Sequence, residues 1–447
     1  MYDTLIHNAL VVTVDDAFTC LAGGAVAIRD GVLQRIWTPD AASPLPGARE
    51  TVDARGGLIL PGLVNAHTHL PMSLFRGLAD DLPLSQWLNE HIFPAEARHI
   101  SEASVELGAR LSCAEMLLGG ITTCCDGYFL ADRIAETVSA CGMRAILGQG
   151  VLDFPAPGVP DPGRNVAHAL DFVRAWQGKT PLIRPSIFCH SPYTCSARTL
   201  KAAKDAAGSQ GVLFQIHVAE TRDEVDQCRS QNGCSPVQYL QRLGVLDADT
   251  LLIHAVWLDR ADMDILARSG AGVVHCPESN MKLASGIAPL PQLLSAGVRV
   301  ALGTDGCASN NDLDLFGEMD TAAKLHKVKT LDPEIMDAVS VVRMATCQGA
   351  RTLGLGEQIG SLEAGKRADL IVMDGRQPHL TPLYQPASHL VYTARGADVR
   401  HVMIDGRWVV RDHRLLTLDL DKVMQAACEL AGSIKPLILD NGEPDHD

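Results

Sequence analysis

The sequence predicts an α/β protein, a (β/α)8 TIM-like barrel joined to a small sheet domain that both chain ends build. Three observations predict this architecture. The chain has 447 residues, enough for a barrel of about 250 residues and a smaller domain. Its centre alternates strand-like apolar runs with helical segments, and its two ends contain short strands separated by Asp-Gly turns. We expect the sheet domain to comprise residues 1–58 and 369–447, and the barrel to comprise residues 59–368.

Short strands are predicted at both ends of the chain. They cover residues 4–14, 25–29 and 32–37 at one end, and residues 368–373, 399–404 and 407–410 at the other. Asp30-Gly31 and Asp405-Gly406 each separate two of these strands, and Asp-Gly is a strong signal for a two-residue hairpin. Because the two ends have the same character, we expect them to share one sheet.

Eight apolar runs predict the strands of the barrel. They cover residues 63–66, 122–125, 144–148, 184–189, 213–216, 250–253, 272–274 and 298–302. Helical segments such as 101–118 and 260–268 separate them, as is typical of β/α units around a parallel sheet. An open doubly wound sheet is the alternative, but no G-x-G-x-x-G loop follows the first strand. Residues 153–163 are rich in Pro and Gly and predict a long loop.

Composition excludes several classes of function. The 38 Lys and Arg against 53 Asp and Glu give a net charge of −15, which disfavours nucleic acid and anionic membranes as partners. The 13 cysteines include no C-x-x-C pair, so neither a disulfide framework nor a zinc ribbon is indicated. The first residues lack a signal-peptide pattern, and no uncharged apolar run reaches about 18 residues. We therefore expect a cytoplasmic protein with reduced thiols.

The first barrel strand ends in two histidines that point to the same side. His67 and His69 are two residues apart, and alternate residues of a strand share one face. Two imidazoles on one face can chelate a single metal ion. A metal site needs further ligands beside this pair, because a lone histidine at a strand end is more often an ordinary polar residue.

Other titratable side chains follow the ends of separate predicted strands, where barrel enzymes build their active sites. His190 follows the fourth strand, His217 and Glu220 follow the fifth, His254 follows the sixth, and Asp305 follows the eighth. Three imidazoles and one carboxylate suit Zn²⁺ or Fe²⁺ and leave a position open for water. The sequence therefore predicts a metal centre at this end of the barrel.

The same residues predict hydrolysis. A bound divalent cation lowers the pKa of its water to about 7, which produces hydroxide at neutral pH. Glu220 is the candidate proton shuttle. Asp305 is expected both to touch the metal and to accept a proton, and His254 to orient or polarise the attacking oxygen.

Five motifs give the sequence its family resemblance. They are residues 61–69 (PGLVNAHTH), 217–221 (HVAET), 275–280 (HCPESN), 302–306 (LGTDG) and 360–370 (GSLEAGKRADL). With them the chain resembles the amidohydrolase superfamily, in its branch of deaminases and chlorohydrolases. The resemblance implies a mononuclear metal site with His67, His69, His217 and Asp305 as ligands, and a composite sandwich from the chain ends. Dinuclear members carry a carboxylated lysine at the fourth strand, where this chain has residues 188–190 (FCH).

Within that branch the chain is most similar to the 5'-methylthioadenosine/S-adenosylhomocysteine deaminases. The likeness rests on residues 81–84 (DLPL), 87–88 (WL) and 93–96 (FPAE). It implies an adenine nucleoside as substrate, with methylthioadenosine first and S-adenosylhomocysteine or adenosine as further candidates. The product is then the inosine derivative plus ammonia. A symmetric homodimer or higher homo-oligomer is also implied.

The resemblance also assigns roles to single residues. Glu96 is expected to bind the ribose hydroxyls, because a carboxylate accepts two hydrogen bonds. His190, Glu220 and Asp305 match positions that contact the substrate or the reacting water. Glu220 would protonate a ring nitrogen as hydroxide adds to C6, and Glu220 or Asp305 would protonate the departing ammonia. Trp87 is equally consistent with an aromatic wall for the purine and with ordinary core packing.

Two alternative functions stay open. One is an amidohydrolase for another ring, such as guanine, an oxidised purine, a pterin or a triazine. The other is a barrel that binds metal or ligand without catalysis.

Arg164 is the one cation suggested for a substrate carboxylate. We expect His275 to be structural, and Cys189 and Cys195 to be buried thiols rather than ligands.

Overall fold

The computed structural model describes residues 1–40 and 44–434. Eight parallel strands form a barrel in which each strand pairs with its neighbour in sequence. A backbone hydrogen bond from Asp305 N–H to the carbonyl oxygen of His67, 3.0 Å long, joins the ends of the first and last strands. The barrel strands are β6 Leu63–Thr68, β7 Ile121–Tyr128, β8 Arg144–Val151, β9 Ile183–Cys189, β10 Phe214–Val218, β11 Thr250–His254, β12 Gly272–His275 and β13 Arg299–Leu302.

The second sheet is mixed and takes strands from both ends of the chain. Its order is β17-β16-β15-β14-β5-β1-β2-β3, and β4 pairs with β1. Apolar side chains from both ends, including Ile6, Ile28, Val372 and Met403, form one buried core. The strands are β1 Tyr2–Val12, β2 Cys20–Arg29, β3 Val32–Trp37, β4 Ala48–Asp53, β5 Leu58–Pro61, β14 Leu370–Met373, β15 Val399–Ile404, β16 Arg407–Arg411 and β17 Arg414–Leu415.

Both Asp-Gly hairpins form as predicted. Asp30, Gly31, Asp405 and Gly406 all have positive φ, between 53° and 76°, which is the geometry that favours Asp-Gly in two-residue hairpins. The two turns also touch, since a Cβ on Gly406 would lie 2.5 Å from the Cα of Gly31. Glycine is thus required here both for backbone conformation and for the close approach of the two chain ends.

Helices surround the barrel strands. The predicted helix at 101–118 is α3, with Ser101 as its N-cap, and the segment 260–268 is α9. No helix within residues 1–40 and 44–434 is long and apolar enough to cross a membrane. The α-helices are α1 Leu84–Gln86, α2 Phe93–His99, α3 Glu102–Leu118, α4 Ala131–Ala140, α5 Asn165–Trp176, α6 Ala197–Gln210, α7 Arg222–Asn232, α8 Pro236–Arg242, α9 Arg260–Ser269, α10 Pro277–Lys282, α11 Leu290–Ser295, α12 Cys307–Asn310, α13 Leu315–Thr330, α14 Ala338–Met344, α15 Cys347–Thr352, α16 Pro386–Tyr392 and α17 Leu420–Ile434.

Shorter helical turns complete the chain. A π-helix covers Trp87–Ile92, and 3₁₀ turns cover Leu70–Phe75, Pro162–Arg164, Pro378–Leu380 and Gly396–Asp398. The predicted loop at 153–163 is irregular apart from an isolated bridge between Ala156 and Val159 and the start of a 3₁₀ turn at Pro162.

The fold class is confirmed, and three strands and a terminal helix were not foreseen. All eight predicted barrel strands are present, whereas β4, β5 and β17 were not predicted. β4 is mostly polar, only Gly62 separates β5 from β6, and β17 has two residues, so none of the three shows a strand pattern of its own. The C-terminal segment also forms α17, which packs against α3. The domain limits at 58/59 and 368/369 stay a prediction. The predicted sheet domain includes residues 41–43 and 435–447, which lie outside the described residues.

A buried ion-pair network joins the barrel to the second sheet. The Arg144 guanidinium at the start of β8 donates to both carboxylate oxygens of Asp369, at 2.7 and 3.1 Å. It also donates to Asp405 at 3.4 Å and to the carbonyl of Pro181 at 3.0 Å. The side chains of Arg144 and Asp369 are 4% and 1% exposed. Such a pair is costly to break because the remaining charge would be buried alone.

We expect Arg144→Met to lower the free energy of unfolding by about 3 to 5 kcal/mol, because Asp369 would lose its buried partner. The measurement is urea denaturation followed by circular dichroism. Arg133→Met is the control, since Arg133 pairs with Glu102 and Glu136 at the surface and should cost at most about 1 kcal/mol. Equal losses in the two variants would contradict a special role for the buried pair.

Candidate metal centre and active site

Three histidines and one aspartate meet at the carboxyl end of the barrel. The Nε2 atoms of His67 and His217 are 3.2 Å apart, and Asp305 Oδ1 lies 3.4 Å from Nε2 of both His67 and His69. The three imidazoles offer ligand atoms that all lie within 4.8 Å of one another. The structure therefore brings together all four residues that the sequence predicts as ligands.

Lowered pKa values favour the neutral form of the three histidines in this cluster. Burial lowers the pKa of His67 to about 4 and lowers the pKa of His69 below its ordinary value. Burial and the neighbouring histidines lower the pKa of His217 well below its ordinary value. His69 Nδ1–H donates to the carbonyl of Gly127 at 2.7 Å, so its Nε2 keeps a free lone pair. A neutral imidazole with a free lone pair is the form that binds a metal.

The spacing of these atoms fits a divalent metal ion. In a tetrahedral site with Zn–N bonds of about 2.0 to 2.1 Å, neighbouring ligand atoms are about 3.3 Å apart. The distances of 3.2 and 3.4 Å between the ligand atoms match that value. Unprotonated nitrogens this close repel each other unless a cation lies between them. The donor set is thus suited to a divalent cation.

Asp305 is held in an unusual backbone conformation. Its φ is +62°, and its carboxylate accepts hydrogen bonds from Ser279 Oγ at 2.7 Å, Ser309 Oγ at 3.1 Å and Gly306 N–H at 2.8 Å. Burial by itself would raise the pKa of Asp305, but the contact with His67 and the other nearby histidines hold it well below its ordinary value. Asp305 is therefore a fixed carboxylate.

Glu220 and His254 lie beside this cluster. Glu220 Oε2 is 3.6 Å from His254 Nε2, and His254 Nε2 is 4.0 Å from Asp305 Oδ2. Burial raises the pKa of Glu220, which favours the protonated form that a proton donor needs. Ser285 donates to Glu220 Oε1 at 3.3 Å, and Asn280 Oδ1 lies 3.0 Å from His254 Nδ1.

An inner cavity of about 70 Å³ brings the predicted substrate residues to the same site. Glu96 lies in its wall, and the Tyr128 hydroxyl donates to Glu96 at 2.5 Å. His190 Nδ1 lies 3.1 Å from Thr194 Oγ1 and 3.2 Å from Ser191 Oγ, which leaves Nε2 for a ligand. The lining residues that the sequence predicts are His69, Trp87, Glu96, His190, His217, Glu220, His254 and Asp305.

A larger outer cavity of about 1120 Å³ opens beyond the inner one. The two share lining residues, among them Leu88, Phe93, Glu96 and Tyr193. Trp87 is buried and lines the inner cavity, so it is both a packing residue and part of the wall.

Several residues singled out in the sequence lie elsewhere. Arg164 ends a 3₁₀ turn and lines neither of these two cavities. His275 Nε2 faces His326 Nε2 at 3.2 Å. Cys189 and Cys195 are buried, and the Cys195 thiol donates to the carbonyl of Val151 at 3.2 Å.

The sequence reasoning missed the residues that hold the predicted ones in place. Tyr128 lies at the end of β7, where the strand-end rule applied to the histidines would have found it. Ser279 and Asn280 belong to the motif at 275–280 and contact Asp305 and His254. Ser285 and Ser309 lie in segments without a distinctive pattern, so only the fold reveals their contacts.

A known family model covers the whole barrel and the part of the second sheet that begins at β5. The model of the amidohydrolase family matches residues 58–409. The chain belongs to the amidohydrolase family.

Named relatives cover nearly the whole chain. It is 50% identical to the 5-methylthioadenosine/S-adenosylhomocysteine deaminase of Syntrophobacter fumaroxidans, over 97% of this chain and 99% of that protein. It is 43% identical to the 5'-deoxyadenosine deaminase of Methanosarcina mazei, over 96% and 98%. The crystal structure of an adenosine deaminase from Xanthomonas campestris with bound zinc aligns with a TM-score of 0.95 and 38% identity, over 97% and 99% of the two chains.

We expect His69→Asn to weaken zinc binding by at least about tenfold, because even changes behind a ligand cost 10- to 100-fold. The metal retained after dialysis against a graded chelator, measured by mass spectrometry, gives the affinity. His275→Asn is the matched control, since His275 is a buried histidine that pairs with His326. Loss of zinc from the control to the same extent would show that the ligand set is wrong.

Proposed function

We propose that this protein hydrolytically deaminates an adenine nucleoside, with 5'-methylthioadenosine as the first candidate and S-adenosylhomocysteine and adenosine as further ones. The products are the corresponding inosine derivative and ammonia. The observation that carries the proposal is that Glu96 and the Glu220, His254 and Asp305 group line one cavity beside the histidine cluster. The names of the relatives support the same substrate class, and one of them adds 5'-deoxyadenosine to the candidates.

We propose that His67, His69, His217 and Asp305 hold a single divalent ion, with Zn²⁺ ahead of Fe²⁺. When bound there, such an ion supplies hydroxide at neutral pH and polarises the group under attack. The zinc in the similar Xanthomonas campestris structure supports the choice of metal. Dinuclear members of this superfamily are expected to carry a lysine at the end of the fourth barrel strand. This chain has Phe188 and Cys189 there, which supports a single ion.

The protein's own residues move the protons. Glu220, with its raised pKa, donates a proton to the ring nitrogen next to C6 and thereby makes C6 more electrophilic. Asp305 accepts a proton from the attacking water, and His254 orients that water. Once C6 is tetrahedral, the amino group takes a proton from Asp305 or Glu220 and leaves as ammonia.

Glu96 and the cavity walls select a nucleoside. The two oxygens of an ionised Glu96 accept hydrogen bonds from the 2'- and 3'-hydroxyls of a ribose. Trp87 offers an apolar face near the substrate, and His190 offers Nε2 to the base. The outer cavity gives room for a substituent at the 5' position.

We further propose a homodimer or higher homo-oligomer. We also propose a cytoplasmic location, and the buried reduced thiols support that location.

Comparing kcat/KM for ammonia release tests the substrate class. Methylthioadenosine, S-adenosylhomocysteine, 5'-deoxyadenosine, adenosine, adenine and guanine are assayed with zinc-loaded protein under identical conditions. We expect the nucleosides to lead and the free bases to be inert. We also expect Glu96→Ala to lower kcat/KM for nucleosides by about 100-fold, since it loses two hydrogen bonds to a charged group. Turnover of guanine or a triazine without nucleoside turnover would contradict the proposal.

The ribose contact also predicts a pH dependence. Burial raises the pKa of Glu96 to about 7, although the Tyr128 hydroxyl opposes the shift. Because the raised pKa keeps Glu96 protonated below that pH, only higher pH provides the carboxylate that accepts both hydroxyls. For nucleosides, we expect the ratio of the wild-type kcat/KM to the Glu96→Gln kcat/KM to be about tenfold smaller at pH 6 than at pH 8. A constant ratio would contradict this role.

A further inference from the structure

A second buried glutamate lies directly behind Glu220. Glu224 is in the first turn of α7, and its side chain faces back along the chain instead of outward. Its Oε1 accepts a hydrogen bond from Ala219 N–H at 2.8 Å, and its Oε2 accepts one from Glu220 N–H at 2.9 Å. Only 7% of Glu224 is exposed. One carboxylate therefore binds both amides of the turn that carries Glu220.

Ordinary helix capping does not require this arrangement. Thr221 is the N-cap of α7, and its Oγ1 accepts from Glu224 N–H at 3.2 Å. In the usual capping box the glutamate at the third helical position bonds the amide of the N-cap residue itself. Here the carboxylate instead binds the two residues before the N-cap. Its contacts thus serve the turn before the helix.

That turn has a backbone conformation that needs support. Ala219 has a φ of +50°, in the left-handed region that residues with a Cβ seldom adopt. Its carbonyl accepts hydrogen bonds from Val256 N–H at 3.1 Å and Trp257 N–H at 2.9 Å. Contacts to both its N–H and its carbonyl oxygen hold Ala219 in place. Such conformations persist only where the surroundings fix them.

The turn decides where the Glu220 carboxyl lies. Glu220 follows Ala219 directly, and its side chain reaches Ser285 at 3.3 Å and His254 at 3.6 Å. A change of φ at Ala219 would swing the whole Glu220 side chain. A displacement of about 1 Å in a catalytic group can cost about 100-fold in rate.

We propose that Glu224 is a positioning residue that fixes the Ala219–Glu220 turn and so holds the Glu220 carboxyl at the reacting ring. This inference rests on the proposed function, in which Glu220 transfers the proton. The feature on which it depends is the pairing of both carboxylate oxygens with two successive amides.

Glu224→Gln is the test variant, because an amide keeps the shape but has only one acceptor oxygen. Its NH₂ group would face one of the two backbone N–H groups. We expect kcat for the best nucleoside to fall by about 10- to 100-fold, with KM within about twofold of wild type. We also expect faster hydrogen exchange, measured by mass spectrometry, in the peptide that contains Ala219 and Glu220.

Asp262→Asn is the matched control. Asp262 is fully buried at the same position of α9, and its carboxylate accepts from Asp259 N–H at 3.0 Å and from Gln238 at 3.2 Å. It lines neither cavity of the site. We expect this variant to lose thermal stability while keeping kcat and the exchange of the 219–220 peptide at wild-type values.

The outcomes separate the two proposals. If Glu224→Gln keeps wild-type kcat, or if it loses no more kcat than Asp262→Asn, the positioning role is overturned. If wild type releases no ammonia from any nucleoside, the proposed function fails. The exchange measurement uses no substrate, so it still decides whether Glu224 holds the turn. Should Glu224→Gln not fold, Glu224→Asp keeps both oxygens on a shorter side chain, and wild-type kcat in that variant would overturn the proposal.

Discussion

The hydrogen bond from Asp305 N–H to His67 O is the contact on which the site depends. It joins the ends of the first and last barrel strands and brings a carboxylate to within 3.4 Å of two imidazoles. Gly303 makes this approach possible, because a Cβ there would lie 2.8 Å from the backbone nitrogen of His67. Residues more than 200 positions apart therefore meet only because the sheet closes.

Burial explains the different protonation states of the groups in the cavity. Desolvation penalises charge, so it lowers the pKa of an imidazole and raises that of a carboxylic acid. His67 and His217 are therefore neutral and free to bind a cation, while Glu220 is shifted towards its protonated form. The pKa of Asp305 is instead lowered, because histidines and hydroxyls surround its carboxylate. Burial at one end of the barrel thus favours neutral imidazoles and a protonated Glu220 side by side.

The rest of the fold supports this end of the barrel. Arg144 and Asp369 fix the second sheet to the barrel, and the two Asp-Gly turns pack against each other where the chain ends meet. Further contacts fix side chains at this end of the barrel. Tyr128 donates to Glu96, Asn280 contacts His254, and Glu224 accepts from Glu220 N–H. Side chains fixed in this way are what a binding or catalytic site requires.

The sequence by itself determined the barrel strands, most strands of the second sheet, the two Asp-Gly hairpins and the residues at the carboxyl ends of the barrel strands, because periodicity and strand-end position are local properties. His67, His217 and Asp305 were found in this way. The sequence did not reveal β4, which is mostly polar, or β5, which only Gly62 separates from β6. Nor did it reveal that Tyr128 contacts Glu96 or that Arg164 lies away from both cavities. Those facts depend on distances between segments far apart in the chain, and only the closed barrel sets them.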